Sequence, residues 1–463
     1  MERKSKKISV ADLRQLKDIL PINEINFLPP AGYLHQNKEL MDRVYDPEES
    51  NIYFPPLPYA GINGYFVNLE NSAFLDDMEE TFRLYRLRRI KQLSLLHGVS
   101  TIGGTPEFLE GFQHTRNTHS FDVMAVSVLL AQNVGLSKED AKILQIAAFS
   151  HDYRTPAGGD TTKSVDGEAF DEDKHYNEIF STEGWVKFKE KYKISKEQED
   201  RLYQTILGQG ILGQLLDLSD KIAYVSQDLN VYLNLSVRME GPNGESSDSF
   251  KRIKNFFNTN PLAGSIWDVV KVVDGRVVVS DSERLTDFLK MRAILWKYLY
   301  ENFQGGFSKS IFAKRLIEYL YKRGDLTKEE LLKTGDLDLY QKLAEFSGSK
   351  TFPDLIWHLK TFTKSFSTEE EAKNFAKGFN EDSAQIAIID RPKMSSIGST
   401  KKFLVETDNG IKPFNEAFPE RAKEIEEVMH IDPTFNVHVV SLKDLGVPES
   451  HTEKIKSIFE IRD

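Results

Sequence analysis

The chain has 463 residues, of which 40% are hydrophobic and 28% are charged, a composition typical of a globular protein with more than one domain. It contains no cysteine, which excludes disulfides, thiolate catalysis and zinc sites with sulfur ligands. The net charge of -11 disfavours non-specific binding to nucleic acid or to an anionic membrane. No apolar run approaches the roughly 18 residues that a membrane span needs, and no signal-peptide core follows the basic start. We therefore expect a cytoplasmic protein.

Residues 1–75 are the first predicted region. Pro29-Pro30, Pro55-Pro56 and Pro58 interrupt this stretch too often for long helices or strands. The prolines favour packed coil, and the alternative is a polyproline ligand for a partner. We predict a wrapped N-terminal segment.

Residues 76–335 form the second predicted region, in which apolar residues recur three and four positions apart, as in amphipathic helices. Ser137 begins a capping-box pattern with Asp140 three positions later, so it marks the start of a helix. The predicted helices span about 82–98, 119–135, 138–152 and 215–235, and another begins near 283.

Short β-rich segments follow these helices. Residues 269–273 and 277–279 flank Asp274-Gly275-Arg276 and predict a small hairpin. After about 335, strand-like segments near 385–389, 403–405 and 437–440 surround a helix near 418–429. The overall prediction is a mainly α-helical fold, with a helical core, a small β-hairpin and a smaller C-terminal α/β domain over residues 336–463.

Four residues of metal-binding type occur at related places in the predicted helices. His119 begins one helix, His151 and Asp152 close the next, and Asp220 lies within a later one. If these three helices converge, two imidazoles and two carboxylates meet, and this donor set suits divalent iron, manganese, zinc or magnesium. We predict that His119, His151, Asp152 and Asp220 bind a divalent metal ion.

Cationic residues lie beside these ligands. Arg116 precedes His119 by three positions, which places both on one helix face, and Lys221 follows Asp220 directly. Such cations would hold an anionic substrate, and the alternative is that Lys221 belongs to a solvated helix face.

Asp220, Tyr224 and Asp228 are spaced four apart and therefore predict a single stripe along their helix. This stripe would hold metal, phosphate and sugar in succession. Six other histidines show no ordered partner and are expected to be structural: His97, His114, His358, His430, His438 and His451.

Five segments in a fixed order carry a resemblance to a known family. They are RLRRIKQL at 86–93, RNTHS at 116–120, SHD at 150–152, DKIAYVSQD at 220–228, and Arg292 with Tyr300 eight positions on. Together they resemble the HD-type deoxynucleoside triphosphate triphosphohydrolases, which comprise bacterial dGTPases and their relatives with a sterile-alpha-motif domain. Several spaced matches are more specific than any one motif.

The resemblance implies an HD-domain helical core over residues 76–335 and the four metal ligands already predicted. It also implies a homo-oligomer and hydrolysis of a deoxynucleoside triphosphate to the deoxynucleoside and tripolyphosphate. The implied phosphate contacts are Arg116, Lys221, Tyr224 and Arg292. The implied sugar contacts are Gln92, Leu93, Asp228 and Tyr300, with Tyr300 placed beneath the ribose.

The chain departs from the family after Asp152. Thr155 and Asp160 stand at the third and eighth positions beyond it, where the family usually has histidines. The stretch 155–162 is either a phosphate cradle or a turn. We take His175, Glu178 and Asp160 as candidate catalytic residues, with His175 and Glu178 as an acid pair; the alternative for His175 is a surface position.

The family's regulatory nucleotide site is matched at Arg88 but not at Tyr85 or Glu80, so activation by nucleotide is not assumed. Two alternatives to the triphosphohydrolase remain. One is an HD phosphohydrolase acting on another phosphate ester, such as a nucleoside monophosphate or an alarmone, and the other is a catalytically silent nucleotide sensor.

Overall fold

The structure is a computed structural model. It describes residues 51–54, 65–68, 72–92, 101–102, 105–106, 114–238, 266–295, 306–351, 355–356, 359–380, 385–390, 400–429, 435–442 and 447–459. No helix within these ranges is long and apolar enough to cross a membrane. Leu93 and Tyr300, like most of the predicted N-terminal segment, lie outside the described residues.

The described α-helices are α1 (Ser72–Thr81), α2 (Arg116–Asn133), α3 (Lys138–Ser150), α4 (Gly159–Lys163), α5 (Glu183–Lys191), α6 (Lys196–Ile206), α7 (Gly210–Arg238), α8 (Ser282–Leu295), α9 (Gly306–Arg323), α10 (Lys328–Lys333), α11 (Asp336–Ser347), α12 (Glu369–Asn380), α13 (Phe414–Ala417), α14 (Pro419–Met429) and α15 (Glu449–Phe459). The strands are β1 (Asn51–Phe54), β2 (Tyr65–Asn68), β3 (Thr101–Ile102), β4 (Thr105–Pro106), β5 (Val270–Val273), β6 (Arg276–Val279), β7 (Lys360–Phe366), β8 (Gln385–Asp390), β9 (Leu404–Thr407), β10 (Gly410–Pro413) and β11 (Phe435–Ser441). The predicted fold class, mainly α with small sheets, is confirmed.

Helices α2, α3 and α7 form the centre of the larger hydrophobic core, with α2 packed against both of the others. Thr115 caps α2 by accepting a hydrogen bond from the backbone N–H of Thr118, and Ser137 caps α3 by accepting one from Asp140. Each cap satisfies an N–H group that has no partner inside its helix. The caps thereby fix where α2 and α3 begin, and so which residues lie at the helix ends that carry predicted metal ligands.

The helix predicted over about 82–98 is wrong in its described part. Helix α1 ends at Thr81, Arg83 has a left-handed backbone with φ of 53°, and a 3-10 helix follows over Leu84–Arg89. A left-handed conformation costs a residue with a side chain roughly 1–2 kcal/mol. Burial of Phe82 and Leu87 offsets this cost, because the reversal turns both side chains into the core.

The 3-10 helix also turns Arg86 inward, toward the chain that follows the predicted metal ligands. Its guanidinium donates hydrogen bonds to the backbone carbonyls of Tyr153 at 3.0 Å, Thr155 at 2.7 Å and Thr334 at 3.2 Å. Burial lowers the pKa of Arg86 to about 10, so it remains charged at neutral pH. One buried cation therefore fixes the path of the backbone immediately after Asp152.

A four-stranded sheet in the order β10-β9-β6-β5 joins the hairpin β5–β6 to residues much later in the chain. The predicted hairpin is confirmed, and Asp274 and Gly275 both have positive φ, as a tight two-residue turn requires. Strand β6 then pairs in parallel with β9, which carries residues 400–429 onto the larger core. This sheet therefore spans the predicted domain boundary at residue 335.

A second hydrophobic core lies under the antiparallel sheet β7-β11-β8 and includes side chains from α9, α11 and α15. Ala157 and Phe170, which follow the predicted metal ligands in sequence, also belong to it. The loop after Asp152 therefore packs on the second core, while His119 and Asp220 lie on helices of the first.

Candidate metal centre and phosphate pocket

The structure brings the four predicted metal ligands together. Potential ligand atoms of His119, His151 and Asp152 lie within 4.8 Å of one another. Asp220 joins them from α7, with its Oδ1 2.9 Å from Nε2 of His119 and 3.9 Å from Nε2 of His151. The imidazoles are largely buried, whereas 37% of the Asp220 side chain is exposed, so the group opens to solvent on the Asp220 side.

A backbone hydrogen bond orients His151. Its Nδ1 lies 2.8 Å from the carbonyl oxygen of Ala148 on the preceding turn of α3. Because a carbonyl only accepts, Nδ1 carries a proton, and Nε2 is the nitrogen that faces the carboxylates. Metal-binding histidines are commonly fixed in this way.

The charges of the group are those that a cation site requires. Burial alone would raise the pKa of Asp220, but the hydrogen bond with His119 and the charges of His119 and His151 lower it to about 2. Burial likewise opposes ionisation of Asp152, but His151 and Arg116 hold its pKa well below the usual value. Two ionised carboxylates and two imidazole nitrogens therefore face one point, and this donor set fits a divalent first-row ion or magnesium.

Arg116 lies directly beside this group. Its guanidinium donates to Oδ2 of Asp152 at 3.1 Å and to Oδ2 of Asp160 at 2.5 Å, and only 7% of its side chain is exposed. Burial opposes its charge, but Asp160 and Asp152 raise its pKa. Arg116 thus orients one metal ligand and at the same time neutralises a second carboxylate.

Two residues not singled out from sequence lie next to Asp160 and Thr155. Lys163, on the short helix α4, contacts Oδ1 of Asp160 at 3.4 Å and donates to Glu172 at 2.6 Å. Glu172 also accepts a hydrogen bond from the hydroxyl of Thr155. Glu172 therefore links Lys163 to Thr155, and Lys163 contacts Asp160, so the pair connects Thr155 with Asp160.

The predicted stripe of Asp220, Tyr224 and Asp228 lies on α7, and cationic residues also lie beside it. The hydroxyl of Tyr224 accepts a hydrogen bond from Nε of Arg292 at 2.5 Å. Lys221 is largely buried and forms an ion pair with Asp217, one turn earlier on the helix. Burial lowers the pKa of Lys221, while Asp217 partly offsets that effect. Tyr224 and Arg292 thus act as a unit, whereas Lys221 already has a partner.

Asp228 meets His114, which was expected to be structural. Nε2 of His114 lies 3.1 Å from Oδ1 of Asp228, at an angle outside the hydrogen-bonding range. The carbonyl of His114 accepts a hydrogen bond from the backbone N–H of Gln92 at 3.1 Å, and Oε1 of the buried Gln92 has no hydrogen-bond partner among the described residues. A buried acceptor without a partner is costly unless a ligand satisfies it. The two predicted sugar contacts within the described chain therefore meet through His114.

The predicted acid pair of His175 and Glu178 is formed, but neither residue is among the contacts described above for the predicted metal ligands. Nδ1 of His175 lies 3.0 Å from Glu178, whose other oxygen accepts from Arg154 at 2.5 Å. Glu178 and Arg154 line a cleft of about 1240 Å³ together with Glu80 and Tyr85. Glu178 therefore borders this cleft, whereas Nε2 of His175 lies 3.1 Å from the carbonyl oxygen of Glu168 and Asp160 lies with Arg116.

Comparisons with known proteins concern the fold. No family model matches the chain, and no curated protein matches it. Among solved structures, it is similar to a hypothetical protein from Aquifex aeolicus at 17% identity and a TM-score of 0.54, over 89% of this chain and 100% of the other. It is also similar to a phosphohydrolase from Bacteroides thetaiotaomicron at 15% identity and a TM-score of 0.56, over 84% and 99%. At these identities the likeness establishes a shared fold.

Proposed function

We propose that the chain is a metal-dependent phosphohydrolase that converts a deoxynucleoside triphosphate to the deoxynucleoside and tripolyphosphate. The observation that carries this proposal is the donor set, in which His119, His151 and Asp152 converge within 4.8 Å and Asp220 closes the group. The fold likeness to the Bacteroides protein, itself named a phosphohydrolase, gives further support.

A divalent ion held by these residues would polarise a phosphate oxygen and lower the pKa of a bound water. The protein supplies the positioning: Arg116 holds Asp152, and the Ala148 carbonyl aims Nε2 of His151. In the proposed reaction a water oxygen bonds to the α-phosphorus and the bond to the 5′-oxygen breaks. The attacking water releases a proton and the 5′-oxygen takes one up. That His175 with Glu178 supplies this proton stays a prediction from sequence, because the ring nitrogens of His175 face Glu178 and the carbonyl of Glu168.

Substrate recognition is proposed along α7. Arg292, with Tyr224, would bind the outer phosphates, because a buried guanidinium makes strong charge-assisted bonds to phosphate oxygens. The sugar 3′-hydroxyl would donate its one proton either to the carboxylate of Asp228 or to the amide oxygen of Gln92, which has no hydrogen-bond partner among the described residues. The roles of Leu93 and Tyr300 remain predictions.

A second candidate is hydrolysis of a less highly charged phosphate ester. The observation in its favour is the Asp160 carboxylate, which already occupies Arg116 and Lys163 beside the metal ligands. A further carboxylate in the pocket disfavours a polyanion more than a monophosphate.

The test is a product assay in which purified protein is incubated with each deoxynucleoside and ribonucleoside triphosphate in the presence of manganese, magnesium or iron. Ion-exchange chromatography resolves nucleoside, monophosphate and polyphosphates, and Asp220→Ala protein run in parallel controls for contaminating hydrolases. Deoxynucleoside with tripolyphosphate is the expected result. Release of orthophosphate or pyrophosphate contradicts it, hydrolysis of monophosphates alone supports the second candidate, and silence with every substrate supports a nucleotide sensor.

We also propose a homo-oligomer, on the family resemblance. Light scattering coupled to size exclusion tests it, and a monomer across the micromolar range contradicts it.

A further inference from the structure

One exposed carboxylate is shared by two cations beside the metal ligands. Asp160 contacts Arg116 at 2.5 Å and Lys163 at 3.4 Å. The side chains of the cations are 7% and 24% exposed, whereas that of Asp160 is 65% exposed. The two cations are therefore largely enclosed by protein, and the anion that bridges them faces water.

Each cation retains another partner if Asp160 moves away. Arg116 also donates to Asp152 at 3.1 Å, and Lys163 also donates to Glu172 at 2.6 Å. Removing the only partner of a buried charge is strongly destabilising, but here no buried charge would be left alone. Replacement of Asp160 by another anion is therefore compatible with the rest of the pocket.

The arrangement also has an unsatisfied donor. Nε of Arg116 is buried and has no hydrogen-bond partner among the described residues. A carboxylate has two acceptor oxygens, and those of Asp160 already face Arg116 and Lys163, whereas a phosphate group has at least three and can also pair with a guanidinium through two of them. Phosphate would thus satisfy Arg116 more completely than Asp160 does.

We propose that Asp160 is a resident counter-ion that a phosphate group replaces, and that Lys163 joins Arg116 in binding that phosphate beside Asp152. This inference rests on the proposed function, because the phosphate belongs to the substrate of that site. It assigns Lys163, held by Glu172, as a substrate-binding residue, and it gives Asp160 a competing role in place of the catalytic one predicted from sequence. The ligand class is a phosphate group, free or esterified.

The test uses inorganic phosphate as the probe and isothermal titration calorimetry as the measurement, on the full chain with and without manganese. Asp160→Asn keeps the shape of the side chain and removes its charge, so phosphate affinity should rise by about tenfold or more. Lys163→Met removes one cation and should lower the affinity by about tenfold. Lys163→Arg retains the charge and should stay within a few-fold of the natural protein.

Matched controls come from similar pairs elsewhere. Lys189 donates to Glu199 at 3.0 Å, so Lys189→Met removes a comparable lysine pair away from the pocket. Arg284 and the part-exposed Asp268 lie 2.5 Å apart, so Asp268→Asn matches Asp160→Asn. Both controls should leave phosphate affinity unchanged, and thermal unfolding of every variant verifies that it is folded.

Tighter phosphate binding by Asp160→Asn together with weaker binding by Lys163→Met is the expected result. Unchanged or weaker binding by Asp160→Asn overturns the proposal, as does unchanged binding by a folded Lys163→Met. A manganese titration of each variant separates metal loss from phosphate loss. If the expected pattern appears in a protein that hydrolyses no nucleotide, the proposed function fails while the phosphate site stands. If the protein hydrolyses nucleotide but the variants do not show the expected pattern, the phosphate site proposed here fails while the proposed function stands.

Discussion

Nε2 of His119 lies 2.9 Å from Oδ1 of Asp220, although one residue lies at the start of α2 and the other in the middle of α7. The contact exists because the two helices pack closely against each other in the larger core. Since His151 and Asp152 reach the same point from the end of α3, the site depends on the packing of three helices. Metal binding and the stability of this core should therefore be linked.

Replacement of Asp220 by alanine tests the metal centre. The variant lacks the carboxylate that joins both imidazoles, so the affinity for manganese should fall by about a hundredfold or more, and phosphohydrolase turnover should be lost with it. Isothermal titration with manganese gives the affinity directly. Asp217→Ala, one turn earlier on α7 and more than half exposed, should keep the manganese affinity of the natural protein. Retention of tight manganese binding by Asp220→Ala would remove the central claim.

The hydrogen bond between Arg292 and Tyr224 predicts coupling between two substrate contacts. Tyr224→Phe deletes the acceptor and should raise KM for the nucleotide several-fold, because Arg292 loses the group that holds it 2.5 Å away. Arg292→Gln should cost more, about a hundredfold in kcat/KM, since it removes a buried charge from the proposed phosphate site. In a double-mutant cycle, the two losses should be less than additive. Fully additive losses would show that the two side chains act separately.

The places of the four predicted metal ligands on their helices were predictable from sequence, because helical periodicity and order along the chain suffice to place them. His119 begins α2, His151 and Asp152 follow the end of α3, and Asp220 lies within α7, as predicted. Spacing within one helix also gave the stripe from Asp220 to Asp228. Both predictions depend on local geometry, which a 3.6-residue period fixes.

The rest of the site depends on tertiary contacts that the sequence pattern does not contain. The acidic run 171–173 is typical of a surface, yet Glu172 is buried against Lys163. His114 showed no ordered partner, because its contact with Asp228 joins residues far apart in sequence. The predicted helix through Phe82 failed at Arg83 because the apolar spacing is the same whether or not the backbone reverses there. The parallel pairing of β6 with β9 was also not predictable from short-range sequence patterns, because the two strands lie far apart in the sequence.

His438 lies on β11 of the C-terminal sheet, and its burial predicts that the folded protein loses stability in acid. It is buried beside Thr363, whose hydroxyl lies 3.0 Å from its Nδ1, and burial lowers its pKa to about 4. The unfolded chain has the ordinary histidine pKa near 6.5 and binds the proton more tightly, so stability falls as the pH drops from about 6.5 to about 4. His438→Gln should flatten this part of the stability profile in urea denaturation. His451→Gln, a less buried histidine on α15, is the control and should keep the slope. An unchanged acid slope in His438→Gln would contradict the prediction.

Asp122 lies one turn after His119 on α2, and its burial predicts that the protein loses stability as the pH rises. It is buried, its Oδ2 has no hydrogen-bond partner among the described residues, and burial raises its pKa to about 8. The folded protein therefore binds this proton more tightly than the unfolded chain, whose aspartate has a pKa near 3.9. Stability should fall as the pH rises from about 4 to about 8, by at most about 1.4 kcal/mol per pH unit, and then level off.

Asp122→Asn replaces the carboxyl with a neutral group of similar shape, so it should gain stability relative to the natural protein as the pH rises. Urea denaturation at pH 6, 7, 8 and 9 measures that difference. Asp76→Asn, an exposed position on α1, should show no such trend. The Asp122 carboxyl lies one turn from His119, a predicted metal ligand. Because the buried carboxyl is favoured in its protonated form, its ionisation weakens the core. If the difference in unfolding free energy between Asp122→Asn and the natural protein does not change with pH, the prediction is contradicted. Asp122 would then ionise without cost, and its surroundings on α2 would be more polar than the packing indicates.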